Sequence, residues 1–566
     1  MDIITIAQPF IVLAVVLLLA PPLGRYIVGV FFKKQTRMDQ VFEPFENFLF
    51  RVVGVHAHEN MGAKRYLANL FVTNAFMWGI GLLIFLNQGL LPLNPANIPN
   101  MPIDLAINTA SSFITTTNWQ NYAGETGMSY FSQMVGVTFL QFTAAATGMS
   151  IGIALMRGFS KKGIPGYRDF NGIGNFYFDF VRSITRVLIP LAFVFSVILL
   201  LGGVPQTLAG PVNYTTFQGE TSILYRGPVA SMEAIEHLGN NGGGFFGQNS
   251  ANPYENPSPA TNFVEMIMML LISVAFVYAF GVMVGNKKEG WILIGALSVL
   301  LIAFLLIGII AESSNPALIG VNQSLGNMEG KEVRFGTVGS ASFGAITTAT
   351  ATGSVNSMHD SYMPLAGAVT FSLMFVNAVF GGVGCGLLNI MMFVILAVFI
   401  SGLMVGRTPQ YLGRKIESHE VTLTIWAFLI HPILIFTFTS LAIIFASNAA
   451  FNSGFQGFSE IAYAFTSCAA NNGSAFAGFS GDTPFLNYTL AITMVIGRYI
   501  TFILMLLVAE AFIHKKIVPH DLGTFRTDTW IFGAIFIGVL IIINLLTFFP
   551  MLIFGPIGEF LTRGVI

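Results

Sequence analysis

The chain alternates long apolar stretches with short polar ones. Ten apolar stretches lie near the ~20 residues an α-helix needs to cross a bilayer. They run roughly over 3–22, 65–87, 129–156, 184–203, 262–284, 290–311, 366–405, 421–447, 485–513 and 528–553. Four times, one of these is followed by a short Ser/Thr/Ala-rich helix that runs into an Asn/Gly/Thr turn, and a second apolar stretch follows. The turns are Thr116–Gln120, Asn240–Gly244, Ala351–Ser354 and Asn471–Ser474. This pattern predicts an all-α polytopic membrane protein of about ten transmembrane helices. Four span–pore-helix–filter–span repeats are expected in pseudo-fourfold arrangement, with one extra helix at each end. The expected organisation is a single transmembrane domain over 1–566: extra helix 3–22, repeat one 65–156, repeat two 184–284, repeat three 290–405, repeat four 421–513 and extra helix 528–553.

The seventh stretch is too long for one straight crossing. It contains Gly381-Gly382-Val383-Gly384-Cys385-Gly386, which should break it at membrane depth. Such backbone survives there only against protein or a water-filled cavity. Gly381, Gly382, Gly384 and Gly386 are therefore expected to form a hinge or gate, the alternative being a helix-packing face.

A helix, a turn of small residues and another helix, repeated four times, can build a ring of carbonyls around one ion. Such rings select cations by replacing their water shell with oxygens. The expected ring comprises Thr116, Thr117 and Asn118; Asn240, Asn241 and Gly242; Ala351, Thr352 and Gly353; and Asn471, Asn472 and Gly473. Glycine there lets the backbone aim its carbonyls inward. Trp119, Phe245, Phe246 and Phe476 would wedge the turns against the surrounding helices. Any one turn could be an ordinary polar loop; four at matching places favour the ring.

Composition agrees. Hydrophobic residues are 54% and charged residues 9%, against about 25% charge in soluble domains. A net charge of −1 argues against a nucleic-acid partner. The bilayer is the expected surrounding. The first stretch lacks a basic leader, carrying Asp2 instead, and is expected to remain as a span. Cys385 and Cys468 imply no disulfide framework. The eight histidines show no metal-ligand spacing; His56 and His58 read as a solvated pair, and His359-Asp360 as a hydrogen-bonded loop pair or a vestibule support. No nucleotide-binding loop occurs, so no organic cofactor is expected and any ATP chemistry would belong to another subunit.

Basic residues cluster after the odd-numbered spans: Lys33, Lys34, Arg37, Arg51, Lys64 and Arg65; Arg157, Lys161, Lys162, Arg168, Arg182 and Arg186; Lys287 and Lys288; Arg407, Arg414 and Lys415; Lys515, Lys516 and Arg526. Opposite them stand only Arg226, Lys331, Arg334 and Arg563. The richer side reads as cytoplasmic, which places both termini and all four turns outside. Arg498 lies mid-span with no acidic neighbour in that stretch. An arginine there is costly. It reads as a fixed positive charge beneath the ring, or alternatively as half of an ion pair, with Glu265 as a candidate partner.

At these motifs the sequence resembles the KdpA family, the potassium-transporting subunit of the bacterial Kdp ATPase. The resemblance is carried by Thr117-Asn118-Trp119-Gln120, Asn241–Phe246 with Asn249–Pro257, Gly353 through Asn356–Ser361, and Asn472–Gly478, and covers nearly the whole chain. Asn240, Thr352 and Asn252 stand where Thr, Cys and His are familiar in the family. The resemblance implies a non-catalytic subunit in the bacterial inner membrane. K⁺ would be captured from outside and passed to the ATP-hydrolysing subunit KdpB, with KdpC and KdpF completing the complex. It implies that Gly242, Gly353 and Gly473 are filter glycines, with Thr117 holding their place in the first turn. Gln120 would flank the filter and influence affinity, Arg498 would lie beneath it, and Gly381–Gly386 would block direct passage inward. The alternatives are a stand-alone K⁺ channel or a Trk/Ktr-type symporter subunit, which share the fourfold architecture, and an intramembrane enzyme, for which no nucleophile or metal triad is found.

Overall fold

The computed structural model describes residues 3–32, 39–56, 59–160, 172–314, 325–404, 406, 408–517 and 526–563. The expected inner-side charges Lys33, Lys34, Arg37, Lys161, Lys162, Arg168 and Arg407, and His58, lie outside the described residues.

Helix α1 (Ile3–Phe32) is followed by the amphipathic α2 (Asp39–Val53). Four helical groups come next. The first is α3 (Ala63–Leu86), α4 (Ile103–Ile114) and α5 (Ser132–Phe159). The second is α6 (Phe176–Leu201), α7 (Val229–Leu238) and α8 (Pro259–Met283). The third is α9 (Lys287–Ser313), α10 (Gly336–Ala349), α11 (Pro364–Val376) and α12 (Cys385–Met404). The fourth is α13 (Ser418–Phe445), α14 (Gly454–Ala470) and α15 (Pro484–His514). Helices α16 (Trp530–Phe554) and α17 (Pro556–Arg563) close the described chain. Ten of these helices are long and apolar enough to cross a membrane.

Local sequence explains the helix starts. α8, α11 and α15 begin with proline in the first turn, where its missing N–H costs nothing. Ser258 and Thr483 cap α8 and α15 by accepting from Thr261 and Leu486 backbone N–H groups. The expected seventh span is two pieces: α11 ends at Val376, followed by Asn377, whose φ of 43° leaves helical geometry, and α12 starts at Cys385.

The first span is longer than expected. α1 runs through Pro21 and Pro22 to Phe32 rather than ending at 22. Its apolar character continues, and Gly24 lets it press on α8; a Cβ there would lie 2.8 Å from the Ala275 carbonyl oxygen. The fourth span also starts earlier, at Phe176, and widens over Ser183–Leu188 ahead of Pro190, which cannot donate to a regular turn.

The arrangement is a closed ring. In each group the helix that follows the turn packs on the helix that precedes the turn in the next group: α5 on α7, α8 on α10, α11 on α14, and α15 back on α4. α5 and α8 are mostly buried, whereas α1, α3, α6, α13 and α16 leave most of their apolar surface outward, as a lipid-facing rim would. The four short helices therefore converge on the middle of the protein.

Candidate ion site

Each short helix ends in the same way. Thr116, Asn240, Ala351 and Asn471 follow α4, α7, α10 and α14 with φ of 58°, 46°, 50° and 54°. The next N–H turns back to a carbonyl five residues earlier: Thr117 to Ser112 (3.1 Å), Asn241 to Glu236 (2.8 Å), Thr352 to Thr347 (2.9 Å) and Asn472 to Ser467 (2.8 Å). The following amides are also used. Asn118 donates to the Ser112 carbonyl, and Gly353 and Gly473 donate to the hydroxyls of Thr347 and Ser467 at 2.9 and 2.8 Å.

This register corrects one expectation. Asn118, not Thr117, occupies the place of Gly242, Gly353 and Gly473; Thr117 is level with Asn241, Thr352 and Asn472. The reason is conformational. Asn118, Gly353 and Gly473 have φ of 52°, 97° and 105°, and asparagine is among the few residues besides glycine that visit this region routinely. In the second turn the positive φ falls one residue later, on Gly243 (78°).

With these amides turned back to their own helices, the carbonyls of Thr117, Asn241, Thr352 and Asn472 accept no hydrogen bond among the described residues. They crowd the neighbouring turns instead. A Cβ on Gly473 would lie 1.8 Å from the Thr117 carbonyl oxygen, and one on Gly353 1.8 Å from that of Asn472. A Cβ on Gly242 would lie 2.6 Å from the Thr352 oxygen and 2.9 Å from the Asn472 oxygen, and one on Gly243 2.9 Å from the Asn118 oxygen. The contacts link turn four to one, three to four, two to three and two to one, so the ring closes. Buried carbonyl oxygens without donors are costly to keep, and a dehydrated cation is a partner that suits them.

The backbone is fourfold, but the side chains bracing it are twofold. Asn471 Nδ2 donates to Thr117 Oγ1 (3.0 Å) and the Met494 carbonyl (3.0 Å); Asn240 Nδ2 donates to Thr352 Oγ1 (2.9 Å) and the Met269 carbonyl (2.7 Å). Thr117 and Thr352 each meet a second threonine, Thr115 and Thr350, at 2.8 and 2.7 Å. Gln120 does not point a ligand at the ring. Its amide pairs with the backbone of Gly244, donating to the carbonyl at 3.0 Å and accepting from the N–H at 3.1 Å. Trp119, Phe245, Phe246 and Phe476 are all buried around the turns. His359 and Asp360 form loop contacts, His359 Nδ1 with Tyr463 Oη and Asp360 with Asn452 and Gln456.

Below the ring lies a small cavity of about 20 Å³, roofed by Thr116, Ala351 and Asn471 and walled by Asn377, Asn389 and Arg498. Arg498 Nη1 donates to Thr116 Oγ1 (2.5 Å), Nη2 donates to the Ala144 carbonyl (3.0 Å), and the guanidinium stacks 4.9 Å from the Phe502 ring centroid. Among the described residues no carboxylate lies within 4.0 Å of it. Glu265 sits beside His237 instead, 3.6 Å from its Nε2, so the ion-pair alternative fails. A guanidinium held by neutral acceptors keeps its whole charge under the ring.

The glycine loop shares this space. Phe380, Gly381 and Gly384 have φ of 66°, 60° and 73°. Gly381 N–H donates to the Ala349 carbonyl at 3.1 Å, fastening the loop to the end of α10. At its other end a Cβ on Gly384 would lie 2.1 Å from the Gly148 carbonyl oxygen of α5. Groups one and three are opposite each other in the ring, so the loop crosses beneath it. Gly148 in turn lies beside Arg498, a Cβ there reaching 3.6 Å from Nη2.

Sequence reading missed two things here. The hydroxyls six residues before the ring position, Ser112, Thr347 and Ser467, were a legible spacing signal. Glu233, Glu236, His237, Glu255 and Glu265 are fully buried behind the second turn, and no spacing rule connects Glu255 or Glu265 with α7.

Known proteins resemble this chain in fold and in sequence. Of solved structures, the potassium transporter TrkH from Vibrio parahaemolyticus is similar in fold, with a TM-score of 0.52 at 15% identity, covering 89% of this chain and 98% of that one. The potassium-transporting ATPase potassium-binding subunit of Caldanaerobacter subterraneus subsp. tengcongensis is 46% identical over 560 residues, 98% of each chain. The family model described as KdpA, Potassium-transporting ATPase A subunit, matches residues 10–561, and the chain belongs to that family.

Proposed function

We propose that the ring is a K⁺ filter. The chain takes K⁺ from outside the cell and passes it to an ATP-hydrolysing partner for high-affinity import. The observation carrying this reading is the closed circuit in which each ring glycine abuts a carbonyl oxygen of another turn. At the three glycine positions a side chain is excluded by contact, so a bare cation meets backbone oxygens there. The turns are braced at two levels, by Asn240 and Asn471 against the threonines and by Gln120 against Gly244. Such bracing limits how far the ring relaxes around an ion of another size.

A filter open at both ends would let K⁺ run down its gradient. Arg498 opposes that electrostatically, in surroundings where charges act far more strongly than in water. The loop Gly381–Gly386 opposes it sterically. K⁺ then leaves sideways toward the partner. By the family relation that partner is KdpB, with KdpC and KdpF in the same complex, this chain being non-catalytic. The charge distribution supports an inner-membrane location with both termini outside.

The test is Gly242→Asp in the assembled complex, which sets a side chain and a charge in the ring. Ion-stimulated ATPase activity should lose discrimination between K⁺ and Rb⁺. Retained wild-type selectivity would remove Gly242 from the filter. Co-purification separates the channel or symporter alternative: an importer subunit travels with a large ATPase chain.

A further inference from the structure

Behind the second turn, α7 carries Glu233, Glu236 and His237, and the segment leading into α8 and α8 itself bring Glu255 and Glu265 against them; all five are 0% exposed. Glu255 is spoken for, since Oε1 accepts from the Phe246 N–H at 2.6 Å. Among the described residues the carboxylates of Glu233, Glu236 and Glu265 have no partner in hydrogen-bond geometry, although Glu233 faces Glu255 and sets Oε2 3.3 Å from His237 Nδ1, Glu236 faces Ser354 and Glu265 faces Ser250. Arg334 acts electrostatically on Glu265. Its guanidinium is engaged with Glu332 and the carbonyls of Ala251 and Asn256.

His237 shows what is missing. Its Nδ1 lies 3.0 Å from the Glu233 backbone carbonyl and 3.3 Å from Glu233 Oε2. A carbonyl only accepts, so Nδ1 carries the proton and a neutral ring presents a lone pair at Nε2. Among the described residues that buried Nε2 has no hydrogen-bond partner, and it faces Glu265 Oε2 across 3.6 Å. A lone pair facing a carboxylate is repulsive unless something positive lies between them. The spacing is informative: a tetrahedral dication with N and O ligands at 2.0–2.2 Å holds them roughly 3.3–3.6 Å apart. One ligand atom each from Glu233, Glu236 and His237 also lie within 4.8 Å of one another.

We propose that Glu233, Glu236, Glu265 and His237 Nε2 form a second, non-transported cation site for a first-row transition-metal dication of the Zn²⁺ or Mn²⁺ class. An imidazole and carboxylates suit such an ion, whereas alkali and alkaline-earth ions prefer all-oxygen cages. The site sits where it would brace the ring. The Glu236 carbonyl accepts from Asn241 N–H of the second turn, and its carboxyl faces Ser354 of the third. A bound dication ties the two turns together from behind.

The test is the metal content of the purified whole complex. Wild type is loaded with Zn²⁺, Mn²⁺ or Co²⁺, washed on a chelating column and measured by inductively coupled plasma mass spectrometry. His237→Leu and Glu236→Gln are measured beside it. The expected result is about one equivalent of dication in wild type and at least tenfold less in the variants, since even changes to the groups behind the ligands weaken metal sites by about 10–100-fold. Co²⁺-loaded wild type should show visible d–d absorption that both variants lack. Wild type without stoichiometric first-row metal overturns the proposal whether or not the variants assemble, and leaves a cluster neutralised by protons alone. Equal metal in wild type and assembled variants overturns it too, by placing the ion elsewhere.

Discussion

Gly353→Ala perturbs the ring by a single methyl group. The new Cβ starts 1.8 Å from the Asn472 carbonyl oxygen, and ordinary contact begins at 3.4 Å, so oxygen or backbone must move by about 1.6 Å. Gly353 also sits at φ 97°, where alanine costs of order 1–3 kcal/mol. Both effects push the third and fourth turns apart. Asn472 is itself held, its N–H by the Ser467 carbonyl and its Nδ2 by the Thr347 carbonyl at 2.9 Å, so the displaced oxygen cannot swing back to the axis. Losing one oxygen ligand to a bare cation is comparable to losing a hydrogen bond to a charged group, about 1.5–3 kcal/mol. That corresponds to roughly a ten- to hundredfold rise in the K⁺ concentration for half-maximal activity. The assay is K⁺-stimulated ATPase activity of the purified complex, with thermal unfolding measured alongside to separate affinity from stability. A folded, assembled Gly353→Ala complex with the wild-type K⁺ dependence would refute the reasoning, because the methyl cannot be accommodated while the Asn472 oxygen stays in place.

Gln120→Arg should break the paired amide contact with Gly244 and bring positive charge to the ring's mouth, raising the half-maximal K⁺ concentration several-fold, since 1.4 kcal/mol is tenfold; K⁺ titration of ATPase activity reads this directly. Arg498→Met removes the charge below the ring but keeps much of the bulk, and should raise ATP-independent K⁺ flux in proteoliposomes or lower K⁺ moved per ATP. Gly384→Ala puts a Cβ 2.1 Å from the Gly148 carbonyl oxygen and forces the loop off α5. It should leak in the same flux assay, and a tight, coupled Gly384→Ala complex would argue that the loop is not a barrier.

Much of this was legible in the chain because membrane helices and turns obey short-range rules. The ten apolar stretches, the four Asn/Gly/Thr turns and the break at Gly381–Gly386 follow from hydropathy and local composition, and Arg498 stands out as a lone charge in an apolar span. Register was harder. Thr117 was aligned with the glycines because the first turn has no glycine, whereas the backbone follows hydrogen-bond spacing from Ser112 and gives the left-handed position to Asn118. The alternative pairing of Arg498 with Glu265 fails for another reason: the two stand on helices that meet different parts of the ring, and sequence separation carries no information about that. The acidic group behind the second turn was illegible because its members come from α7, the segment before α8, and α8, and only tertiary packing brings them together.

The most direct measurement of the central claim is the anomalous scattering of Rb⁺ in crystals of the assembled complex. The account expects a peak on the ring axis, among the carbonyls of Thr117, Asn241, Thr352 and Asn472 and the residues Asn118, Gly242, Gly353 and Gly473, and weaker or no density in the cavity beside Arg498. Rb⁺ bound elsewhere in this chain, with the ring empty under conditions that support Rb⁺-stimulated ATPase activity, would contradict it.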